Sequence, residues 1–330
     1  MDPGLAAAAV DLIDGLARGV GHNFAALLDS DARACVAAGQ PVGSGGAERL
    51  LRLLRQCLED DEDEVRQSAL GLVGDLACHC PSVFTGAGNG DEAATLAAEQ
   101  LAHASASGNG HGHGHGNGHG NTGVGLGAAS AVVELLVKSM SPAMSRQVCS
   151  NAVWALGELA VAFGAPLVAP FAAAAAVGPL SALLARDDCH PNLLENVAGT
   201  LGRLALCCPE ALAPHAERFA PTWLLALQSL SGDEERDQSF RGLVRLCPLA
   251  WEPLVATRYP DFLSAVASWT YYDDPAPELK SQIQEVINHA SRQLSEQAGA
   301  AGAGGVDPNL YLGALEDGYR TYLLTEFRFG

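Results

Sequence analysis

Five stretches of this chain repeat one another, and that constrains its fold more than any other feature. AAAVDLIDGLARGVGHNF lies at 7–24 and DEVRQSALGLVGDLACHCPSVF at 63–84. SRQVCSNAVWALGELAVAFGAPLV follows at 145–168, HPNLLENVAGTLGRLALCCPEAL at 190–212 and EERDQSFRGLVRLCPLAWEPL at 234–254. Each carries polar or charged residues in its first part, continues with helical apolar spacing, has small residues near its middle and a Leu toward its end. Such self-similarity implies stacked units, none of which buries its apolar face alone. Anchored on Leu16, Leu76, Leu159, Leu204 and Leu243, the intervals are 60, 83, 45 and 39 residues. The last two match a repeat of about 40–47 residues built from two or three helices.

The long intervals have visible causes. Residues 30–47 (SDARACVAAGQPVGSGGA) read as a loop insertion, and residues 85–128 contain a larger one, GNGHGHGHGNGHGNTGVGLGAA. Weaker apolar segments lie between the repeats: LLRLLRQCLED (50–60), SAVVELLVKSM (130–140), GPLSALLARD (178–187) and PTWLLALQSL (221–230). Weak and strong helices in alternation make antiparallel pairs. A further helix over 278–297 places Leu279, Ile283, Ile287, Ala290 and Leu294 on one face. The expected fold is all-α, a HEAT-repeat superhelical solenoid with a disordered Gly/His-rich insertion. Residues 1–84 and 129–297 hold the repeats, 85–128 the flexible insertion, and 298–330 a flexible linker and tail. The aromatic end, YLGALEDGYRTYLLTEFRFG, either caps the stack or docks elsewhere.

Charge narrows the partners. A formal net charge of −19 repels nucleic acid and anionic membranes and favours basic protein segments. It is equally compatible with a generally acidic, soluble surface. The nine cysteines form no CxxC pair and read as small buried hydrophobes in a reducing compartment. The opening MDPGLAAAAVDLIDG is acidic where a signal peptide would be basic. The uncharged run 159–185 is broken by Gly164, Pro166, Pro170, Gly178 and Pro179, so two short buried helices are expected rather than a membrane span.

No nucleophile elbow, phosphate loop, zinc-protease motif or dinucleotide fingerprint is present, so no enzymatic activity and no cofactor are expected. His79, His190, His215 and His289 read as surface or capping residues. The run HGHGHGNGHG at 111–120 contains many imidazoles. Glycine at every second position maximises chain entropy, and the run has no apolar residue to pack, so a flexible insertion is expected rather than a metal site.

One aromatic stands out. Ser150, Trp154 and Glu158 form a stripe of residues four apart, beside an apolar side made by Val153, Leu156 and Leu159. Asn151 and Asn196 each lie eight residues before their anchor Leu, and Asn192 one turn before Asn196. Asp75 and Glu158 each lie directly before theirs. A groove so lined would offer amides to a peptide backbone, an indole for stacking and carboxylates for basic side chains. The competing reading makes Trp154 a core side chain and the asparagines braces between repeats.

NAVWALGELA, LLENVAGTLGRLALCCPEALAPH and DEERDQSFRGLVRLCP, with EVRQSALGLVGDLACHC and DLIDGLARGVGHN before them, resemble the carboxy-terminal third of the transportins (karyopherin-β2 class), in the same order. The resemblance covers roughly 7–84 and 129–295. It implies a HEAT-repeat nuclear import receptor that shuttles between cytoplasm and nucleus, meets nucleoporins and binds cargo. The cargo element would be a basic, extended proline-tyrosine type nuclear localisation signal on an acidic concave face. Residue by residue, it implies cargo contacts at Trp154, Asp75, Asn196, Asn192 and Asp11; Asn151 and Glu158 join them from the repeat spacing. A family acidic position is reversed to Arg18, a family asparagine is Ser150, and an apolar one is Arg146. The family's amino-terminal repeats, which bind the small GTPase Ran, are expected to be absent from this chain. Two alternatives stand beside this reading: an importin-α-like armadillo adaptor, and a HEAT-repeat scaffold without a peptide groove.

Overall fold

A computed structural model describes residues 2–24, 26–28, 37, 46–85, 125–141, 143–186, 189–300 and 309–329. The Gly/His run and most of the insertion expected at 85–128 lie outside the described residues, as does most of the loop at 30–47. The described residues are helical, without strands. The chain divides into two compact units, Met1–Ala175 and Ala176–Gly330.

The first unit contains α1 (Pro3–Val20), α2 (Gly46–Leu58), α3 (Asp63–His79), α4 (Gly125–Ser139), α5 (Arg146–Phe163) and α6 (Ala165–Ala175). The repeat helices α1, α3 and α5 stack on one another in one layer, and α2, α4 and α6 pack beside them as the second. The second unit repeats the plan with α7 (Pro191–Cys207), α8 (Ala216–Leu227), α9 (Asp233–Leu246), α10 (Tyr259–Ala267), α11 (Pro277–Ala300) and α12 (Asp317–Glu326). Here α7, α9 and α11 stack in sequence, and α8 and α10 form the other layer.

Local sequence sets the helix ends. Asp2 accepts the Gly4 N–H (2.9 Å) to open α1, with Pro3 as the first helical residue. Ser145 accepts from Val148 (3.4 Å) to open α5, and the His190 Nδ1 accepts from Asn192 (3.3 Å) to open α7. Gly21 (φ 58°) and Gly164 (φ 61°) end α1 and α5 in a backbone conformation that other residues resist. The uncharged run forms α6, then a π-helical turn Ala176–Leu180 holding Pro179, then the single turn Ser181–Leu184. Among the described residues no single helix is long and apolar enough to cross a membrane.

Leu76, Leu159, Leu204 and Leu243 are fully buried, as the repeat pattern requires. Leu16 is not: it is 49% exposed, with Leu5 and Leu12 also exposed, while its neighbour Ala17 is fully buried. The register of the first repeat is therefore carried by Ala17. Both N–H to C=O caps agree, Gly21 to Ala17 and Cys80 to Leu76 at 2.8 Å each. On α11, Leu279, Ile283, Ile287 and Ala290 are buried as expected, and Leu294 is half-buried. The end of the chain caps the second unit: α12 packs on α10, with Leu323 and Phe327 buried.

The second unit has a charged core. Arg236 is completely buried. Its guanidinium donates to the carbonyls of Leu227 (3.3 Å) and Leu230 (2.7 Å) and to the Ser268 hydroxyl. The rings of Tyr272, Trp269 and Phe240 lie 4.0, 4.7 and 5.2 Å from it. Burial lowers its pKa to about 10, which leaves it cationic at neutral pH. It thereby satisfies carbonyls at and just beyond the end of α8 that have no helical partner.

Small residues set how closely the repeat helices approach. A Cβ on Gly242 of α9 would lie 2.0 Å from the Gly202 carbonyl oxygen of α7 and 3.1 Å from the Leu206 nitrogen. Both are backbone atoms and cannot swing aside. Gly242→Ala is expected to force α7 and α9 apart at a cost of about 1–3 kcal/mol or more, read as a lowered thermal midpoint. Gly15→Ala, with nothing within 4 Å of its Cβ, is the control and should be neutral or stabilising by up to about 1 kcal/mol. Equal melts for both variants would refute the close-approach account.

Candidate peptide-binding face

In the first unit the candidate residues sit on α1, α3 and α5. The layer is held in a constant register. Gly74 of α3 faces Trp154 of α5, Gly71 faces Asn151, and Cys78 faces Glu158, each pair 80 residues apart. The two helices therefore run parallel and in step, and the stripe Asn151–Trp154–Glu158 lies along the α3 surface.

Trp154 is half-buried. Its six-membered ring covers Gly74: a Cβ there would meet Cζ3 at 2.1 Å and Cε3 and Cη2 at 2.6 Å. Its neighbours Val153, Leu156 and Leu159 are buried, as the helical spacing implies. The indole is thus a wedge between consecutive repeats with part of its surface left to solvent. Gly74 is the partner that sequence reasoning missed. The signal was present, because Gly74, Gly157 and Gly202 each lie two residues before an anchor Leu.

Asn151 donates from Nδ2 to the Gln67 carbonyl of α3 (3.0 Å), so its amide braces adjacent helices. Glu158 accepts the Cys78 thiol at 2.9 Å. Cys78 is exposed, unlike Cys57, Cys80, Cys149, Cys208 and Cys247, which are buried as expected of this chain's cysteines. Burial pushes the Cys207 and Cys208 thiols up to about 12 and raises Cys80 and Cys247 as well, so all four stay protonated. Among the described residues no group of three or more His, Cys, Asp or Glu is placed to hold a metal ion.

Asp75 faces α1. The Arg18 Nε lies 3.7 Å from its Oδ1, and the His79 Nε2 is also 3.7 Å away. Arg18 reaches Asp14 too, at 3.8 Å. Asp14 is pushed up to about 6 by burial, by its hydrogen bond to Asp75 and by the Asp75 charge; Arg18 opposes this and Asp11 adds to it. Two carboxyls so placed resist ionising together, and the protonated one donates to the other. Asp11, the candidate acid in α1, is exposed. Arg18 supplies Asp75 with a cation from within the chain.

Asn192 and Asn196 belong to the second unit, on the first turns of α7. Asn192 is exposed and Asn196 half-buried. The Asn192 backbone N–H is taken by the His190 cap. Deeper in α7, Arg203 is buried and crosses to α9, donating to Gln238 (2.8 Å) and pairing with Glu235 (3.4 Å).

Two measurements check this geometry. Gly74→Ala should destabilise the first unit. In a Trp154→Ala background the same change should cost much less, a coupling of about 1 kcal/mol or more in a double-mutant cycle. Additive effects would place the indole elsewhere. For Asp14, the folded-state value is raised above the ordinary carboxylate range, so its contribution to stability is present below pH ~4 and lost as pH rises through about 6. Asp14→Asn should therefore raise the thermal midpoint at pH 8 and do so less at pH 4.5. A pH-independent effect would contradict the shared-proton pair.

No protein-family model matches the chain. Curated relatives do. Transportin-1 of Homo sapiens is 25% identical over 289 residues, 88% of this chain and 25% of that protein. Transportin-1 of Oryza sativa subsp. japonica is 28% identical over 290 residues, 87% of this chain and 26% of that protein. Importin subunit beta-2 of Schizosaccharomyces pombe is 26% identical over 282 residues, 84% of this chain and 24% of that protein. Among solved structures, a computationally designed armadillo repeat protein for modular peptide recognition aligns at a TM-score of 0.46 and 19% identity, covering 84% of this chain and all of that one. Kap121p bound to Nup53p aligns at 0.38 and 14%, covering 83% of this chain and 26% of that one. Both TM-scores are too low to define a shared shape. The sequence similarity runs over most of the chain, which spans about a quarter of the length of the transportins it matches.

Proposed function

We propose that this chain is a segment of a nuclear import receptor of the transportin kind, which binds basic, extended nuclear localisation signals of the proline-tyrosine type. The observation that carries the proposal is the ordered similarity to transportins over 88% of the chain. The face around Trp154 supports it. A half-buried indole sits beside Glu158 and near Asp75, with Asp11 exposed on the neighbouring helix. In this reading the partly exposed indole stacks on an apolar or guanidinium side chain of the cargo, and the carboxylates receive its basic residues. Asn192 and Asn196, on the second unit, are its candidate contacts with cargo backbone in this reading. Nucleoporins are the further partners, Ran belongs to the full receptor, and the protein shuttles between cytoplasm and nucleus.

Each exposed ion pair contributes about 0–1 kcal/mol, so affinity is shared among many weak contacts with one aromatic anchor. A second reading, a scaffold without a peptide groove, is favoured by the use of Asn151 and Trp154 to brace α3 against α5. Titrating a fluorescent proline-tyrosine type peptide at two salt concentrations separates them. The import reading expects salt-weakened binding and a loss of roughly tenfold or more for Trp154→Ala. The melt of each variant must be recorded alongside, because the indole also packs on Gly74. Arg18→Glu should tighten binding, since it removes the chain's own cation from Asp75. A folded protein that ignores the peptide would favour the scaffold.

A further inference from the structure

The face of α11 that carries Lys280, Gln284 and Asn288 already holds a peptide, and the peptide is the chain's own. Beyond α12 the backbone leaves the helix at Phe327 and becomes extended (φ −127°, ψ 154°). The Gln284 side-chain amide then pairs with both backbone groups of one residue. Its Nε2 donates to the Arg328 carbonyl at 2.7 Å, and its Oε1 accepts the Arg328 N–H at 2.7 Å. A primary amide that engages the N–H and C=O of the same residue reads main chain, not side chain. One helical turn earlier, Lys280 pairs with the Glu326 carboxylate. One turn later, Asn288 accepts from Gln284 Nε2 at 2.8 Å.

The spacing explains why this works. Four helical residues advance about 6.0 Å, and two extended residues about 6.6 Å. A side chain on every fourth residue of α11 therefore meets every second residue of an extended chain running the same way. Lys280 meets residue 326 and Gln284 meets residue 328. Continuing the ladder brings Asn288, which lines an open depression of about 580 Å³ with Glu285, His289 and Arg292. Between the two polar contacts, Phe327 points away from solvent: it is 4% exposed, with its ring 6.3 Å from Tyr322. Tyr322 is itself fixed by a hydrogen bond to Asp274 (3.2 Å), whose carboxylate also lies 3.7 Å from Lys280.

We propose that this face is a binding site for extended peptides bearing an acidic residue followed by an aromatic one, and that residues 326–328 occupy it in cis. Lys280 takes the acid, the ring takes the buried position of Phe327 beside Tyr322, and Gln284 holds the main chain of the residue after it. A partner segment of that chemistry binds by displacing the chain's own, so occupancy by residues 326–328 acts as a gate. The site lies wholly within the second unit, and the proposal is independent of the reading of the Trp154 face.

The test uses the full chain and a fluorescein-labelled peptide TEFRFG with an amidated end. Phe327→Ala/Arg328→Pro removes the cis ring and the cis N–H, and so empties the site. This variant should bind the peptide at least tenfold more tightly than wild type. Adding Gln284→Ala, or using the peptide TEARFG, should return binding to the wild-type level. No gain in a variant that melts as wild type does would overturn the proposal, as would a gain indifferent to Gln284. Should the double variant not fold, amide hydrogen exchange in the unsubstituted chain decides. The Arg328 N–H should be protected at least tenfold and should lose that protection in Gln284→Ala. An Arg328 amide that exchanges freely in wild type would overturn the proposal.

Discussion

The closest approaches between repeats occur where a glycine lets the next helix in. Gly74, Gly157 and Gly202 occupy one repeat position, two residues before the buried Leu, and all three are buried. What fills the notch differs. On Gly74 it is the Trp154 ring, and on Gly202 it is the Cα and side chain of Ser239. A large ring over one notch keeps α3 and α5 apart enough to expose part of itself. A serine over the other, with Gly242 against the Gly202 carbonyl, draws α7 and α9 almost to backbone contact. The same repeat position thus yields a displayed aromatic in one unit and a sealed interface in the other. Trp154 stays partly exposed because of the same contact that makes it structural.

Much of this was legible in the sequence, because helical repeats write their core into periodicity. The helices, their pairing into two layers and the buried Leu76, Leu159, Leu204 and Leu243 follow from spacing alone. Leu16 did not follow. A repeat pattern identifies which residues resemble one another, whereas burial depends on what packs against them, and in α1 the buried residue is Ala17. The candidate site was readable as a list of residues and not as an arrangement. Nothing in the spacing of Asn151 reveals that its amide serves Gln67, and nothing near Asp75 in sequence reveals Arg18, 57 residues earlier but 3.7 Å away. Such contacts join repeats across intervals fixed by insertion lengths, which vary along this chain.

The two proposed peptide sites would rest on different physics. On the Trp154 face the chain offers a ring and carboxylates, features suited to selecting a partner's side chains. On α11 a primary amide engages backbone groups with good geometry, and selection is left to one buried aromatic and one lysine. A helix can do this because its rise over four residues nearly equals that of two extended residues. The match accumulates a mismatch of about half an ångström per step, so it holds over two or three contacts and not over a long ligand. A short segment such as 326–328 is the natural occupant.

Charge on the first unit is arranged against its own overall sign. The chain carries a net −19, yet its candidate acid Asp75 lies 3.7 Å from each of Arg18 and His79 and interacts with Asp14. A carboxylate with these neighbours presents less negative charge than its exposure suggests. The proton on Asp14 adds to this below about pH 6, and its loss above that value puts a second negative charge beside Asp75. Because Arg18 is largely exposed, its pairing is weak and exchangeable, so an incoming guanidinium with better, two-pronged geometry would displace it. A net field of this sign favours the approach of basic segments, whereas local neutralisation limits the attraction at any one carboxylate.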